Sequence, residues 1–220
     1  MVKQSSILIE RKIMKNKKAF TLVELMIVIA IIGVLVGMLT PMISGAYKKA
    51  IATNSKTFMS NMAAALERYR DDNGDFPKFL TSVDRVNLND GDNAASLYKM
   101  LVGKNPDGSR LSAADRKEFN RRSTTYMDFN MNSIVKKGAT WKIVDSFGNP
   151  NIYVCVDADF DDHIKKGLPA RKDGIEADEL KELVPNPSKG LMAKVVMFTL
   201  RKDSERSDAD YSAENIYTWY

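Results

Sequence analysis

The chain has 220 residues, with 33 Lys and Arg against 28 Asp and Glu, and a formal net charge of +5. Six of the basic side chains and one of the acidic ones lie in residues 1–19, which leaves 27 of each sign in residues 20–220. Because nucleic-acid binding needs a clustered basic surface, we expect no nucleic-acid partner. Cys155 and His163 are the only residues of their types, which excludes an intramolecular disulfide and the usual zinc ligand sets and disfavours a Cys–His catalytic pair.

The first predicted element is an apolar helix over Phe20–Leu39, whose only formal charge is Glu24. At about 1.5 Å per residue it spans about 30 Å, the thickness of a bilayer's hydrocarbon core. Lys15, Lys17 and Lys18 precede it, so the positive-inside rule predicts one membrane pass with a cytoplasmic N-terminus and an exported C-terminal part. A secretory signal peptide would have a shorter apolar region. A plain membrane anchor fits the length but leaves the glutamate unexplained.

Glu24 is the informative residue of this run. An ionised carboxylate near a membrane interior costs roughly 2.5–3.5 kcal/mol on insertion scales, which indicates a partner. The run contains no Lys or Arg, so the sequence predicts that the partner comes from elsewhere. The alternative is that Glu24 lies close enough to the membrane interface to remain hydrated.

The segment Lys17-Lys-Ala-Phe-Thr-Leu-Val-Glu-Leu25, followed by the apolar run, resembles the N-terminus of type IV prepilins and pseudopilins. The resemblance implies cleavage by a prepilin peptidase between Ala19 and Phe20, N-methylation of Phe20, and assembly in which Glu24 pairs with the Phe20 amine of a neighbouring subunit. The family usually has Gly before the cut, where this chain has Ala19. Met14 is a second candidate start, which would give a six-residue basic leader.

Gly33, Gly37 and Pro41 lie in or just after the apolar run, where pilin helices resemble one another. Glycine weakens a helix and proline breaks its hydrogen-bond ladder, so we expect local helix flexibility here. The alternative is a close-packing face formed by Gly33 and Gly37. Beyond Pro41 the helical pattern continues with one apolar face, made by Ile51, Phe58, Met62, Leu66 and Tyr69.

These patterns predict an α+β protein with three parts. Residues 1–19 form a cleaved basic leader, residues 20–75 a long helix that ends at an Asp/Asn/Gly turn and spans the membrane over 20–40, and residues 76–220 a periplasmic head. By the family resemblance, the helix packs on a small antiparallel sheet in the ladle shape of pilins. We predict that residues 87–125 are a polar insertion serving as a surface loop or decoration. Helices are predicted at Ala94–Val102, Ser112–Arg121 and Ala177–Leu183, and strands at Thr140–Val144, Ile152–Val156, Lys194–Leu200 and Ile216–Trp219.

Three further phrases resemble the major pseudopilins of type II secretion systems. They are the helix exit Leu66–Pro77, the turn Asp145-Ser-Phe-Gly-Asn-Pro150, and the ending Asn215-Ile-Tyr-Thr-Trp219. The turn departs from the family phrase at Ser146 and Phe147. The phrases occur in the order that the family shows.

Two acidic groups are candidate Ca²⁺ sites, since calcium prefers six to eight oxygen ligands. The resemblance places a calcium loop at Asp203, Asp208, Asp210 and Asn215. The alternative group, Asp157, Asp159 and Asp161, has the 1-3-5 carboxylate spacing of an EF-hand but lacks its Gly and its final Glu. A solvated acidic turn is the ordinary explanation of either group, and no other cofactor is expected.

The function expected from these features is structural. The leading hypothesis is a subunit that is stored in the inner membrane and assembles with other pilin-like subunits, on an inner-membrane assembly platform, into a periplasmic type II secretion pseudopilus for protein export. The alternative is a type IV pilus subunit for adhesion, motility or DNA uptake, although surface pilins often close a C-terminal loop with a disulfide that one cysteine cannot form. A membrane-anchored periplasmic enzyme or binding protein is the third hypothesis, but no nucleophile–base set or phosphate loop supports it. We therefore expect no enzymatic activity.

Overall fold

The structure, a computed structural model, describes residues 20–200 and 215–220. The chain divides into two compact units, residues 1–45 and 46–220. The described elements are the α-helices α1 (Leu22–Asn73), α2 (Lys78–Thr81), α3 (Asn93–Val102), α4 (Ala113–Phe119) and α5 (Ala177–Leu183), a 3₁₀ turn (Arg171–Asp173), and the strands β1 (Val86–Asn87), β2 (Ile134–Lys137), β3 (Thr140–Ile143), β4 (Ile152–Val156), β5 (His163–Ile164), β6 (Leu191–Met192), β7 (Val195–Thr199) and β8 (Ile216–Tyr217).

Helix α1 has local signals at both ends. Thr21 and Glu24 cap its start by reciprocal hydrogen bonds. At its end, Gly74 adopts a φ of +85°, and its N–H donates to the carbonyl of Arg70 at 2.7 Å. A left-handed glycine after the last turn is a common helix C-cap, because glycine has no Cβ to clash in that conformation. The turn predicted after residue 70 therefore ends the helix.

The first unit is the apolar part of α1. Its large apolar side chains are half or more exposed in most cases, from 45% at Val28 to 78% at Phe20. The helix has a window with a mean hydropathy of 2.8, which is apolar enough to cross a membrane by length and composition. This confirms the predicted apolar N-terminal helix.

The second unit is built around a sheet. Within the described residues, four strands pair in an antiparallel sheet in the order β1–β4–β7–β8, with Val154 of β4 opposite Met197 of β7. The last half of α1 covers one face of this sheet, contributing the fully buried Met59, Met62 and Leu66. The fold class is therefore α+β, as predicted.

Alternation along β4 divides the core into two clusters. Ile152 and Val154 face the cluster that contains α1, whereas Tyr153 and Cys155 face a second cluster completed by Leu183 at the end of α5. A strand covered on both faces has a continuous apolar run rather than an alternating one. This explains why the sequence Ile152-Tyr-Val-Cys-Val156 has no polar position.

An ion pair lies beside the second cluster. Arg85 donates two hydrogen bonds to the carboxylate of Asp173, at 2.9 and 3.1 Å, and its guanidinium lies 4.8 Å from the ring centre of Tyr153. Asp173 also accepts from the backbone N–H of Ala170 at 2.9 Å. Both charged side chains are largely buried. Their pairing avoids the free-energy cost of burying either charge without a partner.

Most of the predicted elements are confirmed, and one prediction is wrong. The helices Ala94–Val102, Ser112–Arg121 and Ala177–Leu183 and the four predicted strands are present with bounds shifted by at most two residues. Residues 87–125 are not simply a surface loop or decoration, because Leu97, Met100 and Leu101 of α3 are fully buried in the main core. Their helical spacing places them on one face despite the polar composition around them. The later helix of this stretch, α4, has no buried residue.

Candidate functional site

The start of α1 is a capped turn around Glu24. The backbone N–H and the hydroxyl of Thr21 both donate to Oε2 of Glu24 at 2.8 Å. In return, the backbone N–H of Glu24 donates to the Thr21 hydroxyl oxygen at 3.2 Å. This is a capping box, in which a threonine and a glutamate three residues later satisfy two amides that the helix cannot pair.

These hydrogen bonds give Glu24 neutral donors within its own chain. The glutamate was expected to need a partner from elsewhere, but its carboxylate already has hydrogen-bond donors in its own chain, both from Thr21. Those donors are neutral, so the negative charge of Glu24 is not compensated within the described residues. A cationic partner from another subunit therefore stays a prediction. The side chain of Phe20 is 78% exposed beside this turn, and Ala19 lies outside the described residues.

Helix α1 runs without a break through Gly33, Gly37 and Pro41. A Cβ added at Gly33 or Gly37 would meet nothing within 4 Å, apart from the helix's own nearby backbone. Neither glycine is thus required by a close contact inside the chain. Local flexibility and close packing against a neighbour both stay predictions.

Of the two predicted calcium groups, one can be described. Asp203, Asp208 and Asp210 lie outside the described residues, and Asn215 immediately precedes β8. The alternative group is brought together in the turn after β4, where one carboxylate oxygen each from Asp157, Asp159 and Asp161 lies within 4.8 Å of the others.

The acidic turn fits a calcium ion only in part. Three clustered carboxylates are suitable ligands, and two of them are exposed. However, the buried carboxylate of Asp157 already accepts from the backbone N–H of Asp161 at 3.3 Å and of Asp162 at 2.9 Å. The ammonium of Lys165 pairs with Asp161 and holds the pKa of that carboxyl below its usual range. A cation would have to displace or share these interactions.

The turn Asp145–Pro150 joins β3 to β4 and contacts helix α1. One oxygen of the buried Asp145 carboxylate accepts from the backbone N–H groups of Phe147 and Asn149 at 2.9 and 2.8 Å. Burial raises the pKa of Asp145, although those two hydrogen bonds oppose the shift. The N–H of Ser146 donates to the hydroxyl of Ser55 on α1 at 3.0 Å. The turn thus attaches the sheet to the helix.

Ser55 is a residue that the sequence analysis missed. It is fully buried, and the spacing from Ser55 to Met59, Met62 and Leu66 is four, three and four residues. That spacing places a hydroxyl on the buried face of α1, where a polar group needs a hydrogen-bond partner. A serine in the register of the apolar face was the signal available from the sequence.

The lone cysteine and histidine do not indicate catalysis. Cys155 is 1% exposed, and burial raises the pKa of its thiol to about 12, so it stays protonated near neutral pH. Reactive cysteines need an accessible thiolate. His163 lies in β5, with Nδ1 at 2.9 Å from the carbonyl oxygen of Asp161. The prediction that Cys155 is a buried apolar residue is confirmed.

Comparison with known proteins adds to this description. Residues 14–40 match a family model described as the prokaryotic N-terminal methylation motif. The match covers the basic residues before Phe20, the capped turn at Glu24 and the apolar part of α1. These features support a type IV pilin-like N-terminus and suggest a membrane-anchored protein.

A relative with a named role supports the same superfamily. The chain is 40% identical over 63 residues to the type IV wide pilus major component PilA4 of Thermus thermophilus, a stretch that is 29% of this chain and 48% of the relative. The chain therefore spans about half the length of the curated relative that it matches. No solved structure gives a significant match. Type IV pilins are structural proteins, which is consistent with the expected absence of enzymatic activity.

Proposed function

We propose that the chain is a structural filament subunit that a prepilin peptidase cleaves between Ala19 and Phe20 and methylates at Phe20. The observation that carries the proposal is the methylation motif at residues 14–40, which joins a basic segment to an exposed apolar helix. Such a helix is stable in a membrane or against copies of itself, but not in water. In this proposal the N-terminus faces the cytoplasm and the globular unit faces the periplasm.

The proposed filament is a type II secretion pseudopilus, built with other pilin-like subunits on an inner-membrane platform. Support comes from the single, buried cysteine, which excludes the disulfide that often closes a loop of surface pilins. The turn Asp145–Pro150 and the ending Asn215–Trp219 also resemble those of major pseudopilins. A subunit of this filament would act in protein export.

A second candidate is a subunit of a type IV pilus, because the relative described above is a pilus component. Deleting the gene distinguishes the two functions. A pseudopilus subunit is expected to be needed for protein export and not for surface fibres, whereas a pilus subunit is expected to be needed for the fibres.

The capped turn allows a sharp test of assembly. We expect Glu24→Leu to insert in the membrane and be cleaved, yet to form no filaments, because it lacks the charge that pairs with the Phe20 amine of the next subunit. Glu24→Gln is the matched variant, since its amide oxygen can still accept the hydrogen bonds from Thr21. It should fail in the same way. Cleavage is measured by mass spectrometry of the N-terminal peptide, and filaments by electron microscopy.

The outcomes separate the possible roles of Glu24. Normal filaments from Glu24→Gln, with none from Glu24→Leu, would mean that the residue acts only as a helix cap. Normal filaments from both variants would remove it from assembly. An uncleaved wild-type chain in the presence of the peptidase would contradict the processing step itself.

A further inference from the structure

The first charged residues after Glu24 lie together on α1. Lys48 and Lys49 are both exposed, and the neighbouring Tyr47 is 67% exposed. We refer to Tyr47, Lys48 and Lys49 as the juxtamembrane basic segment. The motif match ends at residue 40, so the segment lies beyond the part of the chain that the family model covers.

The distance from Glu24 gives this segment a definite level in a bilayer. Twenty-three uncharged residues, 25–47, separate Glu24 from Lys48. A helix of that length rises about 35 Å, compared with about 30 Å for the hydrocarbon core and 40–45 Å for the bilayer with its headgroups. If Glu24 lies at one headgroup layer, the two lysines lie at the other.

Within the part of the chain that the structure describes, the two lysines have no acidic partner. Residues 25–66 contain no Asp or Glu. Among the described residues, no ion pair involves Lys48 or Lys49. By contrast, the next basic residue, Lys56, donates to the backbone carbonyl of Tyr220. Positive charge at 48 and 49 is thus presented outward without a counter-charge from residues 20–200 or 215–220.

The position of these charges is unexpected for topology. The positive-inside rule concentrates Lys and Arg on the cytoplasmic side, whereas the proposed orientation exports residues 48 and 49. They therefore do not contribute to the topology signal, and they oppose it in part. Their chemistry fits another role, because lysine stems extend along apolar surface while the ammonium reaches phosphate, and tyrosine is enriched at the membrane interface.

We propose that the juxtamembrane basic segment docks on the phosphate groups of anionic lipids in the leaflet that faces the globular unit. This rests on the proposed membrane storage of the subunit. Each lysine attracts anionic headgroups, and Tyr47 anchors the helix at their level. The contact would fix the depth of α1 in the membrane before assembly. Extracting the subunit into a filament would then break it.

Lipid selectivity of the chain after removal of its basic leader tests the proposal, because Lys15, Lys17 and Lys18 of the leader would themselves attract anionic lipid. The chain from Phe20 onward is reconstituted in vesicles of phosphatidylcholine and phosphatidylglycerol at roughly four to one, and spin-labelled forms of each lipid report which one contacts the protein. We expect a preference for phosphatidylglycerol of about two- to five-fold that salt weakens. It should fall to about one in Lys48→Gln/Lys49→Gln. The matched control is Lys136→Gln/Lys137→Gln, which removes two adjacent exposed lysines from β2 and should keep the preference.

Each outcome decides the proposal. It is overturned if the wild-type chain shows no preference, if the 48/49 variant retains it, or if the control loses it equally. A 48/49 variant that keeps the lipid preference but forms no filaments would place the lysines at a subunit contact instead. Resistance to alkaline carbonate extraction is measured first. A chain that carbonate extracts is not anchored in the membrane, which would contradict the proposed function rather than the lipid contact.

Discussion

Both parts of helix α1 carry large apolar side chains, but these side chains lie in opposite environments. In the first unit, Leu35 is 54% exposed and Ile29 is 59% exposed. Further along the same helix, Met59 and Leu66 are completely buried. Apolar character alone thus does not determine burial within the chain. No other segment of the described residues covers the first part of the helix, which would therefore need lipid or other subunits around it. The second part is covered by the sheet of its own chain.

The pattern around the helix explains the difference. From Leu25 to Leu39 the helix is apolar on all sides, which is typical of a segment surrounded by apolar material. From residue 51 onward, apolar residues recur on one face only, and charged residues such as Glu67 and Arg68 lie between them. A single apolar stripe is what one face of a sheet can cover.

The largest expected effect comes from shortening a buried leucine of α1. We expect Leu66→Ala to lower the free energy of unfolding of the globular unit by about 2–5 kcal/mol, because it removes buried contacts and leaves a cavity. Urea unfolding of the full chain in detergent, followed by the fluorescence of Trp141 and Trp219, measures this.

The same substitution in the first unit is the matched control. Leu35→Ala should change that free energy by no more than about 0.5 kcal/mol, since the side chain is exposed to the surroundings of the helix. An equal loss of unfolding free energy in Leu66→Ala and Leu35→Ala would contradict this difference between the two parts of α1.

A smaller effect is expected at the turn that holds the second part of α1. Asp145→Ala removes the acceptor of two backbone N–H groups and should cost about 2 kcal/mol. Asp145→Asn retains an oxygen for the same amides and should be far milder. Thermal unfolding of both variants at neutral pH measures the difference.

The pH dependence sharpens this prediction. Burial raises the pKa of Asp145 in the folded state, so the folded chain retains this proton at pH values where the unfolded chain has lost it. The contribution of Asp145 to stability is therefore greatest in acid and declines as the pH rises from the usual aspartate pKa through the raised one. Asp145→Asn should remove that decline, and an unchanged pH profile would show that the carboxyl is not buried as described.

The smallest effect concerns the acidic turn. If Asp157, Asp159 and Asp161 bind Ca²⁺, the ion at ten times its dissociation constant should stabilise the globular unit by about 1.4 kcal/mol, and EDTA should reverse this. The N-terminal helix should not respond. In Asp159→Asn/Asp161→Asn the shift should disappear. If Ca²⁺ still stabilises that variant, the ion binds in the other predicted group, which contains Asp208. If Ca²⁺ does not stabilise the wild-type chain, the acidic turn is solvated and binds no calcium.

Much of the fold was predictable because its signals are local. The apolar run, the end of α1 before Gly74 and the strand Ile152–Val156 all follow from neighbouring residues. Three two-residue strands, β1, β5 and β6, were missed because so short a segment has no periodicity. The role of α3 was misjudged because the stretch 87–125 is polar as a whole, although α3 itself has five buried apolar residues, Ala94, Leu97, Met100, Leu101 and Val102.

In the candidate site too, local features were predictable from the sequence and long-range contacts were not. The match at residues 14–40 agrees with the residues that the sequence singled out, because cleavage and membrane insertion act on a linear segment. The bond between Ser55 and the turn at Ser146 joins residues 91 positions apart, which no local pattern specifies.

The sequence by itself thus determined the apolar helix, its charged leader and the position of Glu24, because these depend on composition and spacing along one segment. The local bond from Thr21 to Glu24 likewise follows a Thr-x-x-Glu pattern that the sequence already contains. The tertiary structure decided that α3 belongs to the core and that Arg85 pairs with Asp173. Each of these is a contact whose geometry depends on backbone conformation or on segments distant in sequence. The charge of Glu24 remains uncompensated within the described chain, and that is the property a neighbouring subunit could use.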